Sequence, residues 1–367
     1  MDISFFNTHI NPKAFNKVKE VLDSTFISEG DVVKEFEFEL HNKLRLINPV
    51  AVNSCTSALH LALILAGVKE GDQVILPAQT FIATGLVILM QKAEPVFADI
   101  QYNTGNIDPN SIKEKITSKT KAIIAVHWGG YPCDMDEINE IARTNNLKVI
   151  EDAAHAIGAV YKYNPIGSIS DFTCFSFQAI KHLTTADGGA ICCKNEEDYL
   201  RAKRLRWFGI DRLNSKPSIL GEREYDVSEI GYKYHMNNFS ASLGIANLAD
   251  IDKILERRLQ ISNIYRKELK NIKGIQLLNF QNDRKSAWWL FTLLVDNRIN
   301  FISKLKEKNI PASVVHLRID SNTVFGGIRK ELLNQNKFND LQVSLPVHSG
   351  LKEEDINHIV DTIKHGW

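Results

Sequence analysis

LKVIEDAAHAIGA, residues 147–159, is an apolar run that ends on two adjacent carboxylates and a turn of small residues. Short apolar runs bounded in this way read as strands buried on both faces. Three more precede it: DQVILPA (72–78), EPVFADI (94–100) and TKAIIAVHW (120–128). Helical stretches lie between them, TSALHLALILAGV (56–68) and MDEINEIARTNN (135–146). The alternation predicts an α/β fold with an open, mostly parallel sheet covered by helices. Ligands of such sheets bind at the carboxyl ends of the strands, which is where Glu151 and Asp152 fall. A carboxylate there is poorly solvated, so one of the two needs a cationic partner. The competing readings are a helix N-cap and a magnesium ligand.

Further along, the polar segment 211–229 interrupts the pattern and reads as an exposed loop. Residues 239–270 read as one long helix leading into a smaller C-terminal α+β unit. That unit has strands at WWLFTLLVD (288–296) and SVVHLRI (313–319), and helices at FISKLKEKN (301–309) and EEDINHIVDTIKH (353–365). The expected division is a large α/β domain over residues 1–245 and a small α+β domain over 246–367, which suits a chain of 367 residues.

Forty-four basic and forty-four acidic residues cancel, which argues against nucleic acid or an anionic membrane as partner. The five cysteines, two of them adjacent and none in a CxxC pair, form neither a disulfide framework nor a zinc site, so a reducing cytoplasmic setting is expected. The N-terminus has no signal-peptide pattern, and no apolar run is long enough to span a bilayer.

FSFQAIKHLTTADGGA (175–190) poses a sharper question, because an apolar strand runs directly into Lys181. Most lysines at strand ends are simply solvated. Three other stretches could converge with it: VNSCTSALHLAL (52–63), where a small polar turn opens a helix; VIEDAAHAIGA; and GYKYHMNNFSASLG (231–244). Taken singly, the first is commonly an N-cap and the last commonly packing. Together they meet the needs of one cofactor. A phosphate wants a helix N-terminus, a ring nitrogen wants a carboxylate, and an aldehyde wants a lysine. Pyridoxal phosphate has all three, whereas the glycine motifs of P-loop and dinucleotide folds are absent.

With these motifs in this order, the chain resembles the DegT/DnrJ/EryC1/StrS family of sugar aminotransferases, from SEGDVVKEFE (28–37) to LPVHSGLKEED (345–355). The resemblance implies the aspartate-aminotransferase type of fold, fold type I. It matches Lys181 to the Schiff-base lysine, Asp152 to the partner of the pyridine nitrogen, and Ser176 and Thr56 to phosphate ligands. Cys55 stands where many members have glycine, His155 where glutamine often bonds the phenolic oxygen, and Phe81 matches an aromatic stacked on the ring. Lys233 occupies the place of an asparagine that reaches the phosphate from the other subunit, which implies a homodimer with shared sites. By family habit the donor is L-glutamate and the acceptor a nucleotide-diphosphate keto-sugar. Arg204, Arg206, Arg212, His316 and Arg318 are candidate contacts for that acceptor. Dehydratases of the family carry histidine in place of the lysine, so Lys181 favours transamination. The KHLTTADGG wording resembles members that aminate C4, which points to a 4-keto-6-deoxy sugar. A 3-keto-sugar or cyclitol aminotransferase, a dehydratase-like lyase and a non-catalytic cofactor sensor are the alternatives.

Overall fold

The computed structural model describes residues 3–212 and 214–367; the readings above that touch Met1, Asp2 and Leu213 lie outside the described residues. Seven strands form the main sheet: β1 (Pro49–Val52), β2 (Gln73–Pro77), β3 (Glu94–Ala98), β4 (Thr120–Val126), β5 (Lys148–Asp152), β6 (Phe172–Ser176) and β7 (Gly189–Cys193). Their order is β1–β7–β6–β5–β4–β2–β3. All pairs are parallel except those of β7, which runs antiparallel to both neighbours.

Two apolar clusters sandwich this sheet, and strand parity decides which residue joins which. Ile75, Ile123 and Val149 pack against helices Asp31–Leu44, Met135–Thr144 and Asn238–Leu248. Val74, Leu76, Ile124 and Ile150 pack on the other side against helices Cys55–Leu65, Ile82–Met90 and Glu196–Leu205. Because side chains alternate along a strand, Glu151 shares the face of Val149, and Asp152 shares the face of Ile150. The two carboxylates therefore point to opposite sides of the sheet. Glu151 is fully buried and bonded to His127 Nε2 (2.8 Å), Ser170 N (3.2 Å) and Thr173 Oγ1 (3.1 Å). Only Asp152 is left to face a ligand.

The C-terminal third holds a three-stranded antiparallel sheet of β8 (Ile275–Leu277), β9 (Phe291–Val295) and β10 (Gln342–Leu345), with β9 in the centre. Helices Arg298–Glu307 and Glu353–Lys364 and the long helix Ile251–Leu269 complete its core.

Four local expectations need correction. The helix expected over 239–270 is two helices, Asn238–Leu248 and Ile251–Leu269. The break falls where the N-terminal segment docks: Asn11 N–H donates to Asn247 Oδ1 (2.8 Å), and His9 (3.0 Å) and Asn11 (2.7 Å) bond Asp250. SVVHLRI is not a strand. His316 takes φ +60°, a left-handed conformation that a strand cannot contain, and only Ser313 bridges to Ser344. The strand read over 288–296 begins at Phe291, because Trp288 takes φ +52° and the Trp289 N–H donates to Gly129 O (2.8 Å). Lastly, the 211–229 loop contains a short hairpin, Lys216–Pro217 with Arg223–Glu224.

Candidate active site

A cavity of about 340 Å³ opens at the carboxyl ends of the central strands. Val126, Asp152 and Ser176 line it from the ends of β4, β5 and β6, with Thr80 and Phe81 from the turn after β2. A wider surface cleft, about 1010 Å³, lies elsewhere, bordered by Lys34, Arg204, Arg206, Trp207 and Arg212. The groups that can do chemistry converge on the smaller one.

One wall is the start of helix Cys55–Leu65. Ser54 caps it in an extended conformation, its Oγ accepting the Ser57 N–H (3.1 Å), while Ser57 Oγ donates to Asn53 Oδ1 (2.6 Å). The first-turn N–H groups of Cys55 and Thr56 have no carbonyl one turn back, so this end of the helix is a cradle for an anion. The helix can sit there because of Gly189: a Cβ at that position would come within 2.6 Å of Cys55 N and 2.7 Å of Phe175 O. The second glycine of the DGG motif thus serves close approach of helix to strand.

Asp152 forms the floor. Its Oδ2 accepts from Thr84 Oγ1 (2.7 Å), which is also bonded to Thr80 Oγ1 (2.7 Å), and its Oδ1 accepts from Ala154 N (3.2 Å). Burial raises its pKa above the ordinary carboxylate value, and these bonds pull it back only in part. A cationic N–H brought against it would recover that desolvation cost.

Lys181 completes the centre. Burial lowers its pKa from 10.5 to about 7; Cys55 and Asp152 act to raise it, and Arg258 to lower it further. No ion pair holds its Nζ among the described residues, and the Trp289 ring centroid lies 3.6 Å away. His155 stacks on that indole (3.8 Å, 14°), is kept neutral by burial, and has its Nδ1 buried without a partner. Phe81, 54% exposed, stands at the mouth with His316 (centroids 5.1 Å apart).

These features can be tested against pyridoxal phosphate. An unspent helix N-terminus, an under-neutralised buried carboxylate, an orphaned imidazole nitrogen and an unpaired amine are complementary to phosphate, pyridinium, phenolic oxygen and aldehyde. The residues fit the group.

Of the expected site residues, the structure brings together Cys55, Thr56, Phe81, Asp152, His155, Ser176, Lys181 and His316. Lys233 is exposed outside the cavity, with its Nζ 6.0 Å from the Trp207 ring. Arg204 and Arg212 border the other cleft. Two arginines offered as substrate contacts are corrected. Arg206 is buried, paired with Glu37 and Glu29 (2.7 Å to the latter) and bonded to Ala51 O (2.8 Å). Arg318 is buried in a two-pronged pair with Asp320 (2.6 Å for each bond), plus Asn336 and Arg329 O. Both guanidinium groups are spent within the fold. Thr84 and Trp289 were not anticipated. Thr84 follows Phe81 by three residues, a spacing that could have drawn attention to it, whereas Trp289 gave no signal within an apolar run.

A mostly parallel seven-stranded sheet with a buried carboxylate at the end of β5 and a half-buried lysine in the turn beyond β6 is the arrangement of a fold type I aminotransferase. The family model for DegT/DnrJ/EryC1/StrS aminotransferases matches residues 8–364, and the chain belongs to that family. GDP-perosamine synthase of Escherichia coli O157:H7 is 31% identical, over 98% of this chain and 97% of its own. UDP-4-amino-4-deoxy-L-arabinose–oxoglutarate aminotransferase of Shewanella sediminis is 32% identical, over 96% and 95%. Among solved structures, AtS13 of Actinomadura melliaura superposes with a TM-score of 0.95 at 37% identity, covering 100% of this chain and 99% of that one. Spr1654 of Streptococcus pneumoniae, at 30% identity, has been solved in PLP and PMP forms with TM-scores of 0.91 and 0.92; these cover 100% of this chain and 98% and 97% of theirs. Among the described residues no helix is long and apolar enough to cross a membrane.

Proposed function

We propose that the chain carries an amino group from L-glutamate to a nucleotide-linked keto-sugar, using pyridoxal phosphate. The observation that carries this reading is the unpaired Lys181 amine, titrating at about 7, in one cavity with Asp152 and the helix N-terminus. When bound, the cofactor supplies an aldehyde that exchanges amines and a ring that accepts electrons. The chain's residues do the rest. Cys55 N–H, Thr56 and Ser176 would hold its phosphate, Asp152 would keep the ring nitrogen protonated, His155 would bond the phenolic oxygen and Phe81 would shield the ring from solvent. The Lys181 amine is the base that takes the α-proton of the donor and returns it on the acceptor side; a pKa near neutrality suits both directions.

Amination at C4 draws support from the 4-amino sugar in the name of the Shewanella relative, and L-glutamate from the oxoglutarate in that name; the 6-deoxy part of the reading rests on the KHLTTADGG wording alone. Arg212 and His316 stand as acceptor contacts. Lys233 is proposed to reach the cofactor phosphate of a second copy, making the homodimer the working unit. The division at residues 245 and 246 remains a proposal. Five unpaired cysteines support a cytoplasmic setting.

The test is the visible spectrum of the cofactor-loaded protein before and after L-glutamate, followed by product NMR with 4-keto and 3-keto nucleotide sugars. Bleaching of the aldehyde-form band and nitrogen at C4 are expected. An unchanged band turns the reading toward the lyase or sensor, and nitrogen at C3 removes the regiochemistry. Mixing Lys181→Ala and Lys233→Ala chains tests sharing: hybrid dimers with one restored site are expected to recover activity that neither parent has.

A further inference from the structure

Trp289 reaches the cavity from the segment just before β9, and three contacts fix its indole. Its Nε1–H donates to Ile180 O (3.2 Å), the residue immediately before the lysine. One ring contact is the His155 imidazole, at 3.8 Å and 14°. Another is the Phe6 ring, at 5.3 Å and 22°. The placement depends on Gly130, whose φ of +96° and bare Cα let the 129–130 turn abut His155 O and Trp288 N; a Cβ there would lie 2.6 and 3.1 Å from them. The Lys181 Nζ then stands 3.6 Å from the indole centroid, close enough for a direct interaction with the ring face.

We propose that Trp289 is a positioning residue for the Lys181 amine: its indole face holds the protonated, cofactor-free amine in the cavity by cation–π attraction. The inference rests on the reading of Lys181 as the reacting group. A free lysine side chain has many rotamers, and ordering one costs entropy. A carboxylate in ion-pair contact would hold the amine too, but would also keep it charged and unable to act as a base. An aromatic face offers an attraction strong enough to select a rotamer and weak enough to release it. The ionisable groups around Nζ are Cys55 and Asp152, which favour the charged form, and Arg258, which opposes it, with His155, His182 and His316 beside them. The indole presents its face to the amine at 3.6 Å.

The experiment varies the ring's electron density at constant shape. Fluorinated tryptophans with one, two and three fluorines are placed at residue 289 alone in the full-length, cofactor-free chain. The Lys181 amine is titrated by its pH-dependent labelling with trace acetic anhydride, read on the Lys181 peptide by mass spectrometry. Fluorine withdraws density from the ring face, so the amine's pKa is expected to fall stepwise, by about half a unit or more across the series. Trp289→Phe, which keeps a weaker face, is expected to retain part of the effect. A flat or rising fluorine series overturns the proposal, since a residue that merely packs would give that result. Failure of the unsubstituted protein to respond to L-glutamate would instead count against the proposed function, and would leave the titration readable.

Discussion

Lys181 and Arg206 are both cations withdrawn from bulk water, and their surroundings are opposite. Burial pushes the Lys181 amine down to about 7 with no ion pair to oppose it. Burial also pushes against the Arg206 guanidinium, but Glu37 and Glu29 more than restore it and hold it above its ordinary value. The Arg206 cluster ties strand β1 to helix Asp31–Leu44 through Glu37, which also accepts the Ala51 N–H (2.9 Å), and to the 207–212 turn through Arg212 and Glu29 (3.0 Å). A buried charge with its counter-charges in place does structural work; a buried charge left short of partners is available for chemistry.

That contrast can be broken at either end. The largest effect is expected from Lys181→Met, which should cut amine transfer by about 10³-fold or more in single-turnover assays. The same change should stabilise the cofactor-free chain at neutral pH. The folded pKa of Lys181 lies below its unfolded value of 10.5, so between about 7 and 10.5 the unfolded state binds more protons and wild-type stability rises with pH. The variant's advantage in urea unfolding should therefore be greatest near pH 7 and shrink towards pH 10; an advantage independent of pH would mean the amine is not held neutral by burial. Arg206→Met should do the reverse, costing about 3–5 kcal/mol by leaving the buried Glu37 carboxylate without its cation, while Glu29 keeps Arg212. Its transfer rate per folded molecule should change little, and a selective loss of sugar binding would return Arg206 to the substrate site. Thr84→Val removes one bond to the Asp152 carboxylate and should slow transfer by about tenfold with little loss of stability. Arg212→Ala, at the half-exposed edge of the cluster, should shift stability by less than about 1 kcal/mol. If Arg212 contacts the acceptor, KM for the nucleotide sugar rises while that for L-glutamate stays put.

The sheet was legible because its strands are apolar on both faces, a pattern few other folds require. Asp152 was legible because it ends such a run, where burial makes a charge conspicuous, and Lys181 because it follows one closely, in the turn beyond β6. Which of Glu151 and Asp152 faces the cavity follows from strand parity once Ile150 is placed. The pairing of Arg206 was hidden for a different reason: its partners lie 169 and 177 residues away, so nothing local marks it as already neutralised, whereas Asp320 stands only two residues from Arg318 and was a signal left unread. His316 and Trp288 escaped because a left-handed backbone at a bulky residue is imposed by tertiary packing and leaves no trace in an apolar run. Trp289 was read with β9, and only the docking of its N–H on Gly129 turns it into the cavity.

Gly189 carries a consequence for anyone mapping tolerance to substitution. It touches no reacting atom, yet any side chain there would wedge the helix carrying Cys55 and Thr56 off the sheet. In a saturation library scored by growth, its column would be as empty as that of Lys181. Scored by soluble yield, the two columns would part company: Lys181 variants would accumulate as intact, inert protein, and Gly189 variants would vanish from the supernatant.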